Sequence, residues 1–231
     1  MLKPQTERVW TFLKAQPSLA GFVLVGGSAL ALHLRHRLSE DLDFVYPDDR
    51  LPRSRLDTLR RNASEAGIEL EPHDDPGALN EFTQGGLDLL AMQSVKVSFF
   101  APDRSVIVVL EKQPAAVLPR LATLDELFRS KCLLSAKRSR TRDWFDLYVL
   151  MKRRGYSLSD YHEAFRVAGL PDQADIGLQR LCSGTPSAAD EGFEQLAPEP
   201  SNVAELQQFF QTQRDAFERS KAAQAWRKAH D

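Results

Sequence analysis

The stretch Leu24–Phe44, "LVGGSALALHLRHRLSEDLDF", decides the fold. It continues a short apolar run, "FVLV" at 22–25, of the length of a buried strand. Gly26-Gly27 stops the run, and "SALALHL" (28–34) reads as a helix with Ser28 as its N-cap. "DLDFVY" (41–46) reads as a second strand, closed by Pro47. A strand, a glycine–serine turn, a helix start and a strand follow one another within one short segment.

The turn is a natural place for phosphate. Glycines let backbone approach a ligand closely, and a helix start offers free N–H groups and a positive dipole end. An ordinary tight turn with a serine cap would account for this half equally well. Asp41 and Asp43 shift the balance. Alternate strand residues share a face, so both carboxylates point the same way, while Leu42 and Phe44 turn to the core. Two adjacent acids repel unless a cation lies between them, and magnesium with a nucleotide triphosphate suits that pair. A two-metal site would serve both attacking and leaving oxygens.

Outward from this stretch, the N-terminal side predicts a helix at 5–16 on the spacing of Val9, Trp10 and Leu13. The C-terminal side predicts a basic amphipathic helix at 54–66, with Leu56 and Leu59 inward. Strands are predicted at "IELEP" (68–72), "LDLLAM" (87–92), "VKVSFF" (95–100) and "SVIVVLE" (105–111). After Pro114 the pattern turns helical. "TLDE" (123–126) has the form of a capping box, with Thr123 capping and Glu126 reaching back. Helices follow through "LFRSKCLLSAKR", "RDWFDLYVLMKRR" and a start at Ser157–Asp160. Residues 183–202 read as a loop and 203–229 as a long polar helix. The fold class is therefore α/β: a mixed-sheet lobe at 1–114 and a helical lobe at 115–231.

Composition narrows the setting. Hydrophobic residues make up 42% of 231, enough for a sizeable core, and net charge is −2, so any nucleic-acid surface must be local. Cys132 and Cys182 lie far apart without metal-site spacing, which points to a reducing cytoplasm. The polar N-terminus does not read as a signal peptide, and no apolar run approaches the roughly 18 residues of a membrane span.

A second group of charged residues lies in "ELFRSKCLLSAKRSRTRDWFDLYVL" (126–150). Asp143 and Asp146 are neighbours on one helical face. Lys131 offers a point charge for a triphosphate, and Arg142 offers another. Asp146 is placed to orient Lys131 or to take the proton of an attacking hydroxyl. A helix laced with ion pairs is the plainer reading of this segment taken alone. His33 reads as a packing or hydrogen-bonding residue under the loop. The basic residues at 129–142, 152–154 and 50–61 suit an RNA backbone or a solvated helix face.

Gly-Ser followed by Asp-x-Asp resembles the polymerase-beta-like nucleotidyltransferase superfamily. The longer string is similar to a narrower group, the AbiE-type (AbiEii/AbiGii-like) nucleotidyltransferase toxins of type IV toxin–antitoxin and phage-defence systems. Gly26, Gly27, Ser28, Ala29, Leu30, His33, Arg37, Ser39, Asp41, Asp43 and Phe44 match its first motif. Lys131, Arg142, Asp143, Asp146 and Leu147 match its second.

The resemblance implies a cleft between two lobes that holds NTP and Mg2+ or Mn2+. Asp41 and Asp43 are then the metal ligands and, with Lys131 and Asp146, the catalytic residues. Gly26, Gly27, Ser28, Arg142 and Asp143 bind nucleotide. The acceptor it implies is RNA, the 3′ end of a tRNA, and the partner a cognate antitoxin. It also implies Ser39 as a regulatory phosphosite. One departure stands out: polymerase-beta-like enzymes usually carry a third carboxylate on a later strand, where this sequence has Ser98, with Asp88 as a substitute; the toxin family does not uniformly require it. The number of metals stays open on that account. Alternatives are a small-molecule nucleotidyltransferase, a kinase-like phosphotransferase and a non-catalytic nucleotide-binding module.

Overall fold

A computed structural model describes residues 1–73, 83–110, 117–188, 190, 192–193 and 200–230, with backbone only at 83–85. The chain divides into two compact units, Met1–Leu127 and Phe128–Asp231. The boundary expected at 114 falls within 111–116, outside the described residues.

The first unit is built on a six-stranded mixed sheet. Its strands are β1 (Val23–Val25), β2 (Leu42–Val45), β3 (Leu70–Pro72), β4 (Thr83–Ala91), β5 (Val95–Pro102) and β6 (Arg120–Leu121), in the order β3-β4-β5-β2-β1-β6. β2 runs antiparallel to β1 and parallel to β5, and β1 is parallel to β6. The helices of this unit are α1 (Pro4–Leu13), α2 (Gly26–Leu34), α3 (Arg53–Glu65) and the short α4 (Arg104–Ile107).

The core follows from strand alternation. Leu24 lies opposite Phe44, and Phe44 opposite Phe99, so these residues share one face of the sheet. All three are fully buried. The Phe44 and Phe99 rings stack at 5.3 Å, with Phe22 edge-on to Phe99 at 5.6 Å and Trp10 of α1 at 6.1 Å from Phe44. The intervening residues, Asp43 and Ser98, therefore face the other way.

The strand expected over "SVIVVLE" is instead helix α4 and turns through Leu110; Glu111 lies outside the described residues. Pro102 ends β5, and the Asp103 carbonyl accepts from the amides of Val106 (2.9 Å) and Ile107 (3.1 Å), closing a helical turn. The β-branched run suggested a strand. Burial shows a helical period: Val106, Val109 and Leu110 are inside while Val108 is out.

The second unit is helical. It holds most of α5 (Leu124–Lys137), then α6 (Thr141–Arg154), α7 (Leu158–Val167), α8 (Gln173–Ser183) and α9 (Val203–His230). The capping box at Thr123 and Glu126 forms, with Thr123 N–H to Glu126 at 2.7 Å and Glu126 N–H to Thr123 Oγ1 at 3.2 Å. Ser157 and Asp160 form another at the start of α7. Aromatic packing centres on Trp144, Phe145, Tyr161 and Phe165, all buried. Ser135 Oγ meets the Tyr161 hydroxyl at 2.7 Å. Among the described residues no helix is long and apolar enough to cross a membrane.

Candidate active site

The Gly26–Gly27–Ser28 turn differs locally from its expected form. Helix α2 begins at Gly26 with Val25 as N-cap, so Ser28 is already inside the helix and does not cap it. Its buried hydroxyl instead donates to the Asp41 carbonyl and lies 2.9 Å from the Ser39 hydroxyl. Ser28 thus ties the first turn of α2 to the backbone that presents Asp41.

Gly26 has φ +71°, in the left-handed region, and a Cβ there would stand 2.8 Å from Asp43 Oδ2. The missing side chain is what lets the Asp43 carboxylate lie over the turn. At Gly27 the crowding comes from Arg37: a Cβ would collide with its guanidinium. Arg37 is buried and donates to the Leu38 carbonyl at 3.1 Å. Its packing under the turn was not readable from spacing; its position between the turn and the acids was the available signal.

Asp43 lies in β2, half-buried, whereas Asp41 is exposed and immediately precedes the strand. The segment before Asp41 is laced to the N-terminal residues. Lys3 N–H donates to the Ser39 carbonyl (3.2 Å), Ser39 N–H to the Met1 carbonyl (3.0 Å), and Thr6 Oγ1 to the Glu40 carbonyl (2.8 Å). Ser39 itself is 8% exposed. His33 lies outside this group and meets the Ala122 carbonyl at 2.8 Å, the hydrogen-bonding role expected of it.

Ser98 is the cross-strand neighbour of Asp43, and Asp88 is the neighbour of Ser98 on the next strand. Asp43, Ser98 and Asp88 therefore form one row across the sheet. Asp88 pairs with Lys96 at 3.5 Å. Among the described residues no three His, Cys, Asp or Glu side chains are grouped closely enough to hold a metal. Carboxylates are hard oxygen donors of the kind that suit magnesium. Magnesium keeps waters and takes substrate phosphates beside one or two carboxylates.

The second group lies in the helical unit. Lys131 is buried, with Nζ 2.5 Å from Asp143 Oδ1 and 2.8 Å from Asp146 Oδ2. Arg138 Nε meets the other Asp143 oxygen at 2.7 Å. Burial pushes the Asp143 carboxyl up, but Lys131 and Arg138 outweigh it and hold the group at about 2. Asp146 is fully buried. Arg142 Nε donates to the Gly192 carbonyl at 3.0 Å. The Asp190 carboxylate accepts from Thr141 N–H (3.0 Å) and Thr141 Oγ1 (2.5 Å), capping α6 from across the chain, which no local motif announced.

Several basic residues noted in the sequence have structural work. Arg138 holds Asp143, Arg55 donates to the carbonyls of Ser18 and Ala20, and Arg60 donates to the Leu70 carbonyl at 3.3 Å. Simple counting of charge overstates the surface left for a polyanion.

With both groups described, comparison identifies the lineage. The family model for the nucleotidyl transferase AbiEii toxin of type IV toxin–antitoxin systems matches residues 11–230. The chain belongs to this family. AbiEii membership makes it a nucleotidyltransferase of a toxin–antitoxin lineage. No curated protein matches it. Among solved structures, this AbiEii chain is similar to JHP933 from Helicobacter pylori at 18% identity, with a TM-score of 0.49 over 98% of this chain and 100% of that one. It is also similar to MenT4, the nucleotidyltransferase toxin Rv2826c from Mycobacterium tuberculosis H37Rv. There the identity is 16% and the TM-score 0.47, over 90% of this chain and 84% of that one.

Proposed function

We propose that this AbiEii-family chain transfers a nucleoside monophosphate from an NTP to an RNA hydroxyl, that of a tRNA 3′ end, and that a cognate antitoxin restrains it. The observation that carries the reading is the Asp43 carboxylate lying over a glycine turn, with Ser28 fastening Asp41 beside it. Such a turn accepts phosphate oxygens at its free amides. A divalent cation held by Asp41 and Asp43, magnesium or manganese, would supply charge neutralisation for the triphosphate.

The acceptor oxygen bonds to the α-phosphorus as the bond to the bridging oxygen of pyrophosphate breaks. The hydroxyl proton leaves to a carboxylate or water, and pyrophosphate departs with the bond's electron pair. Gly26, Gly27 and Ser28 orient the phosphates. Lys131, paired with Asp143 and Asp146, and Arg142 are assigned to the same reaction on the strength of the family's second motif. Exposed Arg140, Lys152, Arg153 and Arg154 favour a polyanionic acceptor over a small molecule.

Ser39 is the proposed regulatory phosphosite. At 8% exposure, its modification needs the segment before Asp41 to open. A phosphate there would add charge beside Ser28 and compete with the nucleotide.

Incubation with total RNA and each α-labelled or γ-labelled NTP tests the reading. Label reaching tRNA from the α position, and not in Asp41→Ala, is the expected result. Transfer from the γ position would instead make the protein a kinase. Absence of label in RNA would refute the acceptor.

A further inference from the structure

Helix α9 has two unlike halves. In the first, Leu206 and Phe210 are fully buried and Phe209 meets the Tyr148 ring edge-on at 4.8 Å. The side-chain amides of Gln207 and Gln211 donate to the Gly184 and Cys182 carbonyls at 2.7 Å each. Phe217 stacks on His162 at 5.0 Å. Beyond Phe217 packing ends, and each residue from Glu218 to His230 is exposed. At 1.5 Å per residue this is about 20 Å of helix with no buried face.

That exposed half carries Arg219, Lys221, Arg227 and Lys228 against the single acid Glu218, in a chain whose net charge is −2. Arg214, Lys221 and Lys228 recur every seven residues and so line one stripe, with Arg227 on the flank. Arg214 is partly neutralised by Asp215 at 3.4 Å and Glu218 at 3.8 Å. Trp226 is 64% exposed and stacks on His230 at 4.4 Å.

The remaining apolar residues are alanines at 222, 223, 225 and 229. Alanines give no large knobs for a coiled-coil seam, so a second copy or a partner helix finds little to bury. One tryptophan is also too little apolar surface to hold a helix in a lipid interface. Long cationic side chains on an open helix match a phosphate backbone.

We propose that residues 218–230 of α9 are a docking surface for the phosphate backbone of RNA. This rests on the RNA-acceptor reading and deepens it. Lys221 and Lys228 contact phosphates along the stripe and Arg227 from its flank, while Arg219 and Trp226 face the other way.

The full chain carrying K221Q, R227Q and K228Q together is compared with wild type. Binding of fluorescein-labelled bulk tRNA and of an RNA hairpin is followed by anisotropy across a salt series. The expected result is affinity lower by at least about 10-fold near 0.1 M salt and a log–log salt slope shallower by roughly 3, since each phosphate contact contributes about 0.9. Magnesium-dependent NTP binding stays unchanged. Glu218→Lys moves the other way, tightening binding and steepening the slope, which a damaged fold would not produce.

Unchanged affinity and slope in both variants overturn the proposal. So does a defect confined to antitoxin capture or to self-association in light scattering. The underlying reading fails separately. If wild type binds RNA through this helix but transfers no label to it, the acceptor falls and the docking surface stands.

Discussion

Asp43 Oδ2 occupies the space that a side chain at position 26 would need, 2.8 Å from where its Cβ would be. Gly26 and Asp43 are therefore one feature: the turn is bare so that the carboxylate can reach over it. Gly26→Ala would place a residue at φ +71° at a cost of about 1–2 kcal/mol and would push Asp43 aside. Nucleotidyl transfer is expected to fall at least about 100-fold, since a displacement of about 1 Å at the reacting centre has that scale. Urea unfolding and the transfer rate together check this. A variant that unfolds earlier but keeps its rate would separate Gly26 from the chemistry.

Asp41 is exposed, and its backbone carbonyl, not its side chain, receives the Ser28 hydroxyl. Removing the carboxylate should leave that link intact. Asp41→Ala is expected to stay folded, because the carboxylate is exposed and the Ser28 link runs through the backbone. It should nonetheless lose transfer, growth toxicity and magnesium-dependent NTP binding. Calorimetric titration of NTP with and without magnesium is the direct measurement, and wild-type binding in the variant would remove Asp41 from the site.

The mixed α/β pattern was legible because periodicity is a local property. The strands at Val23–Val25, Leu42–Val45 and Val95–Pro102 and the capping box at Thr123–Glu126 all lie where short-range rules put them. "SVIVVLE" misled because β-branched residues favour strands, while Pro102 and the Asp103 carbonyl had already begun a helical turn. The roles of Ser28 and Arg37 were hidden for another reason. Ser28 had the right identity for a cap, but its actual partner, the Asp41 carbonyl, depends on the path of the intervening chain. The row Asp43–Ser98–Asp88 needs strand register, which no single-segment pattern contains.

Ser39 offers a sharper use of that buried contact. Its hydroxyl lies 2.9 Å from Ser28 Oγ, and its backbone is pinned to Met1 and Lys3. A charge placed there has little water to screen it. Ser39→Asp is expected to lower NTP affinity by about 10-fold or more, whereas Ser39→Ala, which loses one neutral hydrogen bond, should cost about 1 kcal/mol of stability and keep most activity. Nucleotide titration of both variants decides it, and equal affinities would deny Ser39 any electrostatic influence on the turn.

Lys131 gives the final prediction, because its removal should invert a pH dependence. In the native protein Asp143 is held at about 2, below its ordinary 3.8. A carboxylate with a depressed folded value contributes stability above its unfolded pKa and loses it as pH falls toward the folded one. The helical unit should thus weaken between about pH 4 and pH 2, by about 2 kcal/mol from this group. Lys131→Met leaves Asp143 and the fully buried Asp146 without their shared cation, a loss of about 3–5 kcal/mol at neutral pH. Arg138 still faces Asp143, but at the fully buried Asp146 burial then favours the protonated form, so relative to wild type the variant should gain stability as pH falls from about 7 to 4. Urea midpoints across this range in both proteins test it. Parallel profiles would mean that Lys131 does not neutralise the pair.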